Sequence, residues 1–291
     1  MQAPIRSFLS TITCERVLRA PQEAFMTKGK VLVIGSNANE IEVVGGAMGK
    51  TGQYLNETVV PIQAATKAGF DVVLATPNGT KPHIDEASRS AQHFGGDEAA
   101  YRRAEEFFAH DPAMNQVRTL RSVIDEGLEK YAGVFVPGGQ APVVDLMQDP
   151  NVGEILRFFH VHQKPTALLC HGPIAIVAAM PSAREFRAAL VAGDKAKAAD
   201  LAKGWQYAGY KMTIFSNSEE KWVENDILHG KMYFHVVDAL ETAGGLVSTG
   251  AVDFEPHVVE DRELITGQNP RSDHLVGAKL VEALNRAGAN A

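Results

Sequence analysis

A doubly wound, mostly parallel α/β sheet with helices on both faces is the fold class that three observations predict. From Lys30 onward, short β-branched runs alternate with stretches of helical spacing, the pattern of a parallel sheet built from crossover units. The runs are continuously apolar rather than alternating, as strands covered on both faces are. No repeat and no Pro/Ser-rich linker divides the 291 residues. One domain over 26–291 is therefore expected, with surface helical insertions at about 78–118 and 181–208 and an extension over 1–25.

The elements follow in order. KVLVIGS (30–36) is an apolar run closed by Gly-Ser, and 56–68 has helical spacing stopped by the C-cap candidate Gly69. FDVVLATP (70–77) is the second strand, and 78–116 is polar with a charged helix near DEAAYRRAEEFFAH. A helix (120–128), a strand (131–139) and a helix (152–163) lead to the strand KPTALLC (164–170), which turns straight into a helix over HGPIAIVAAM (171–180). An Ala/Lys-rich helical segment (181–206) precedes a strand (211–216), a helix (220–228), an apolar stretch (235–244), a β pair (257–267) and a final helix (272–288).

Composition removes several function classes. With 28 Lys+Arg against 35 Asp+Glu, the net charge of −7 argues against a phosphate-tracking surface, so no nucleic acid partner is expected. No apolar run approaches the ~20 residues that span a bilayer, so no membrane partner is expected. Two cysteines, Cys14 and Cys170, make no disulfide framework and point to a reducing cytoplasm. No G-x-G-x-x-G or P-loop follows a strand, so no cofactor is expected. His83, Asp85, His93 and His110 lie near one another in sequence but lack helix-spaced ligand patterns, so no metal is expected either.

Cys170 is the most informative residue. It ends an apolar strand and is followed at once by His171-Gly172-Pro173. A side chain at such an elbow projects from the carboxyl edge of a parallel sheet, where open α/β sheets bind ligands. The free N–H groups and positive end of the following helix would lower the thiol pKa, giving mostly thiolate at neutral pH. The alternative is an inert core cysteine. The elbow predicts a strained backbone at Cys170.

ALLCHGP (167–173), VFVPGG (134–139) and LNETVVP (55–61) together resemble the ThiJ/PfpI superfamily, and FEPHVV (254–259) with LITGQNPRS (264–272) resemble its chaperone and glyoxalase III branch. The resemblance implies a flavodoxin-like fold shared with class I glutamine amidotransferases. It implies that Cys170 is the nucleophile, that Glu57 is a protonated acid beside the thiol, and that His171 is a base oriented by a carboxylate. For that carboxylate Glu219 and Glu220 both qualify, with register favouring Glu220. Gly138 and Gly139 would supply an oxyanion or substrate-binding turn, the Gly139 and His171 N–H groups being the donors. Gln140 stands where many members carry a histidine, and could give a neutral donor and acceptor.

Three functions fit this set. The first is a cofactor-independent cysteine enzyme acting on small 2-oxoaldehydes, either converting methylglyoxal to lactate as glyoxalase III does or removing glycation from proteins by the same thiol chemistry. The second is a cysteine amidohydrolase or peptidase, disfavoured because adjacent Cys and His have restricted mutual geometry within one subunit. The third is a stress-related holdase. The resemblance and the spare apolar helical segments also imply a homodimer.

Overall fold

The computed structural model describes residues 27–289; the expected 1–25 extension and Cys14 lie outside them. Eleven strands are present among these residues. They are β1 Lys30–Ile34, β2 Glu40–Glu42, β3 Met48–Lys50, β4 Asp71–Thr76, β5 Arg118–Thr119, β6 Tyr131–Val136, β7 Thr166–Leu169, β8 Lys211–Met212, β9 Leu246–Val247, β10 Val258–Asp261 and β11 Leu264–Gly267. Seven form the central sheet in the order β10-β11-β7-β6-β1-β4-β5, parallel except for β10 against β11.

Burial on both faces explains the apolar runs. Val31 to Ile34, Val134 to Val136 and Ala167 to Leu169 are each 1% exposed or less. The chain winds outward from β1 through β4 to β5, then returns to start the other half at β6. The reversal lies between β1 and β6, the switch point beside which ligands of such sheets bind. Helices Leu55–Lys67 and Asp273–Ala289 pack against one another. Gly277 permits their approach, since an added Cβ would stand 3.1 Å from Pro61 Cα.

Four expectations need correction. The 211–216 strand is paired only at Lys211–Met212, with β9, in a separate small sheet. Beyond it the Thr213 N–H donates to the Thr266 side chain at 2.9 Å and the Phe215 N–H to the Cys170 carbonyl at 3.1 Å, so the segment leaves ladder pairing to brace the elbow. The helix expected over 171–180 is a 3₁₀ run, Gly172–Ala179, with every residue buried. A hairpin, β2–β3, occupies a stretch where no element was expected.

Nor is the segment 181–208 merely carried on the surface. Its helices, Ala183–Val191 and Lys195–Leu201, bury Phe186, Leu190 and Ala198 in the common core. Trp205 is 2% exposed and donates its indole N–H to the Ile176 carbonyl at 3.0 Å, while Tyr207 donates to Leu156 at 3.2 Å. Those two carbonyls belong to the 3₁₀ run and the Pro150–Val161 helix, so the segment backs the scaffold of the elbow. Trp205→Ala should accordingly cost about 3–5 kcal/mol in a denaturant melt, the usual range for a buried aromatic. A change under about 1 kcal/mol would return the segment to the surface.

Candidate active site

Cys170 follows β7 at the carboxyl edge of the sheet. Its backbone is left-handed, with φ 60°, a strained conformation for a residue with a Cβ. Two hydrogen bonds hold it there: the Cys170 N–H donates to Gly267 O at 2.8 Å, and its carbonyl accepts from Phe215. The turn carries the side chain back toward its own neighbour, and Sγ lies 3.4 Å from His171 Nδ1. The restricted geometry expected of an adjacent Cys-His pair is thus overcome within one chain.

Beyond the imidazole, His171 Nε2 lies 2.9 Å from Glu220 Oε2. An ionised carboxylate only accepts, so Nε2 carries the hydrogen and Nδ1 is left as an acceptor facing the thiol. Gln140 donates from Nε2 to Glu220 Oε1 at 3.0 Å. The structure therefore brings together Cys170, His171, Glu220 and Gln140 in one buried line. Glu219 is equally buried but points elsewhere. It closes the capping box of helix Asn217–Asp226 with Ser216 and accepts from Phe254 N, Gln268 Nε2 and Asn269 Nδ2. Neither acid is solvated.

Glu57, in the first turn of the Leu55–Lys67 helix, is fully buried beside the thiol. The gap it shares with Cys170 is closed by Gly138: an added Cβ would stand 2.4 Å from Glu57 Oε2 and 2.5 Å from Cys170 Cβ. Burial pushes the Glu57 carboxyl up from the ordinary 4.5 to about 8. The Cys170 thiol and the Gly138 and Gly139 N–H groups pull it partly back, though none makes a hydrogen bond of ordinary geometry to it. At neutral pH Glu57 is a protonated acid.

The thiol does not follow expectation. Burial, then the neighbouring Glu57, push the Cys170 pKa upward, while the Gly139 N–H opposes them. A 2%-exposed sulfur loses the water that would solvate its charge, and a fully buried 3₁₀ run supplies no counterpart to an α-helix dipole large enough to offset that loss. Cys170 rests as a thiol, with His171 Nδ1 beside its sulfur.

A cavity of about 520 Å³ opens onto the sulfur. Gly139, Gln140, Cys170 and His171 line it, together with Tyr54, Phe215, Trp222 and Phe254, which sequence reasoning missed. Gly138 and Glu57 lie behind Cys170 and do not line it. Tyr54, immediately before the Leu55–Lys67 helix, could have been found by its distance of three residues from Glu57. The aromatic residues come from segments brought together only by folding. His93 also lines the cavity, whereas His83 and His110 are exposed and do not. Among the described residues no three His, Cys, Asp or Glu side chains gather as a metal site.

Known proteins place these features in context. A family model described as ThiJ/PfpI family-like matches residues 48–223. A Staphylococcus aureus protein named protein/nucleic acid deglycase HchA is 27% identical over 271 residues, covering 90% of this chain and 82% of its own length. Among solved structures, the Francisella tularensis rapid encystment protein of 24 kDa has a TM-score of 0.67 at 20% identity, covering 88% of this chain and 99% of its own. Glyoxalase III from Candida albicans has a TM-score of 0.61 at 18% identity, covering 88% and 97%. At these identities the structural likenesses establish the fold.

The raised Glu57 pKa links stability to pH. The unfolded carboxyl loses its proton near 4.5 and the folded one near 8, so the folded state binds more protons between them and wild-type stability falls as pH rises through that window. Each tenfold change in proton affinity is worth ~1.4 kcal/mol, giving a loss of up to about 5 kcal/mol. Glu57→Gln removes this dependence, so in chemical melts its stability relative to wild type should improve by several kcal/mol from pH 5 to pH 8. A difference that stays constant with pH would show that Glu57 is ionised throughout.

Proposed function

The chain belongs to the ThiJ/PfpI family, and on that premise we propose that it is a cofactor-independent cysteine enzyme acting on 2-oxoaldehydes, converting methylglyoxal to lactate or reversing glycation by the same thiol chemistry. One observation carries the reading: a thiol 3.4 Å from an imidazole nitrogen that a carboxylate leaves free to accept, with a protonated carboxyl on the other side. The relative named a protein/nucleic acid deglycase and the neighbour named glyoxalase III support it.

In this reading His171 Nδ1 takes the thiol proton as Sγ bonds to the aldehyde carbon, and the proton passes to the aldehyde oxygen, giving a hemithioacetal. In this reading the carbon joined to sulfur comes within reach of Glu57, whose carboxyl adjoins the thiol from behind the cavity wall. Between them, His171 and the Glu57 carboxyl move a proton from that carbon to its neighbour through an enediol. The ketone becomes an alcohol and the sulfur-bearing carbon a thioester, and water releases a 2-hydroxy acid and restores the thiol. One carbon is oxidised as the next is reduced, so the reaction balances with water alone. The Gly139 and His171 N–H groups are the donors this reading assigns to the charge developing on oxygen. Gln140 holds Glu220, which holds His171.

The same line of Cys170, His171 and Glu220 also fits acyl transfer, which gives the amidohydrolase reading a geometry that sequence alone denied it. Assays with glutamine and peptide amides separate the two. A holdase would suppress client aggregation equally well as Cys170→Ala. The reaction needs a reduced thiol, as a cytoplasmic setting would provide. Among the described residues no helix is long and apolar enough to cross a membrane. For the assembly we keep a two-fold pair, the commonest one, supported by exposed Val44 and Met48 on the hairpin.

The pure protein, given methylglyoxal without glutathione, should release lactate. Cys170→Ala should abolish this and Glu57→Gln should reduce kcat/KM by about 10²-fold or more, the scale of a lost general acid or base. No lactate from the wild type would sink the proposal. Turnover should also fall as pH rises past about 8, where Glu57 gives up its proton. A rate still climbing at pH 9 would remove Glu57 from the proton transfers.

A further inference from the structure

We propose, building on that function, that the preferred substrates are 2-oxoaldehydes with an aromatic substituent on the ketone carbon, held along a wall formed by Phe215, Phe254 and Trp222. A three-carbon aldehyde fills little of a cavity of about 520 Å³, a size that ordinarily encloses a much larger ligand. What fills the rest is set by the walls. From the imidazole of His171 the Phe215 ring is 4.6 Å away, Phe254 follows at 6.2 Å and Trp222 at 5.5 Å, the last two steps being edge-to-face. The row therefore runs without a break from the proton-transfer group to the mouth. Tyr54 and His93, themselves edge-to-face at 5.5 Å, contribute a second pair of rings to the cavity lining.

Two features mark the row as built for a ligand rather than for core packing. Trp222 is 47% exposed on a helix whose Glu219, Glu220 and Val223 are buried, leaving indole surface open at the entrance. Phe254 has φ 60°, a backbone conformation that a bulky residue adopts only when its surroundings enforce it. The enforcing contact is Glu219 Oε1, which accepts the Phe254 N–H at 2.7 Å. Glu219 thus positions the ring against the cavity, and the helix that supplies Glu220 to the base also supplies the wall.

An aryl group entering this row meets ring edges and faces that a methyl group cannot use. The chemistry is unchanged. The aldehyde carbon joins Sγ, the carbon bearing the ring receives the migrating proton, and water releases a 2-aryl-2-hydroxy acid with the thiol restored. Phenylglyoxal would give mandelate.

Two measurements test this independently of each other. Steady-state kcat/KM should favour phenylglyoxal, read as mandelate, over methylglyoxal by about tenfold. Trp222→Ala and Phe254→Ala should each lower that ratio severalfold, with Trp222→Phe restoring most of it. In calorimetry on the Cys170→Ala protein, mandelate should bind about tenfold more tightly than lactate. A ratio near one in wild type, or a ratio that neither alanine variant moves, would overturn the substrate preference even if methylglyoxal is turned over. Equal affinity for mandelate and lactate would also overturn it. Tighter mandelate binding with no turnover of either aldehyde would instead refute the proposed function while leaving the aromatic slot in place.

Discussion

The left-handed backbone of Cys170 is the constraint on which the site depends. In an ordinary helical or extended conformation, adjacent side chains diverge and a Cys-His pair could not meet. At φ 60° the sulfur swings to within 3.4 Å of the neighbouring Nδ1. The strain is tolerated because the residue is fastened on both sides: its N–H to β11 and its carbonyl to Phe215. Gly138 and Gly172 complete the fit, since a Cβ on either would come within about 2.5 Å of the elbow or of the end of β6. These two glycines supply the clearance that lets the ends of β6 and β7 and the Glu57 side chain of the Leu55–Lys67 helix close on the thiol.

Two adjacent carboxylates at one helix start divide the remaining work. Glu220 faces inward and fixes the imidazole, with Gln140 bonded to its other oxygen. Glu219 faces along the closing segments and gathers Ser216, Phe254, Gln268 and Asn269. Placing both acids in the first turn also favours the helix through its dipole. A shift of one residue in the helix register would bring one acid into the other's place and turn the second, by about 100°, away from both sets of partners.

Much of the fold was legible because burial on both faces leaves a plain trace: apolar runs of strand length ending at Gly or Cys. The elbow was legible for the same reason, since Cys-His-Gly-Pro after such a run has few other uses. The rest was hidden for identifiable reasons. KMTIFS has strand composition, but the Thr213 and Phe215 N–H groups go to a side chain and to the elbow carbonyl, which only the folded chain reveals. The 3₁₀ character of Gly172–Ala179 is hidden in the sequence because eight consecutive buried residues leave no amphipathic period to distinguish one helix type from another. The thiol is not depressed as a helix dipole alone implies, because burial to 2% makes desolvation the larger effect, and desolvation leaves no trace in the local sequence. The residue typing of 181–208, rich in Ala and Lys, concealed that Trp205 and Tyr207 anchor it to the core.

Burying an acid, a thiol and a strained elbow together works against stability, and the location shows how the protein sustains it. All three sit where β1, β6 and β7 end, at the edge of a sheet whose strands are almost wholly inaccessible to water. The parallel core supplies the stabilising free energy in its interior and leaves its carboxyl edge able to hold groups in unfavourable states. Those states are the useful ones. A carboxyl that keeps its proton to about pH 8 can donate at neutral pH, and in the proposed mechanism an unsolvated thiol gains its charge only as the imidazole takes its proton. Greater exposure would relax both groups toward their ordinary pKa values, and the acid would then be ionised and unable to donate. The desolvation that weakens the fold here is therefore the same quantity that sets the protonation states the chemistry requires.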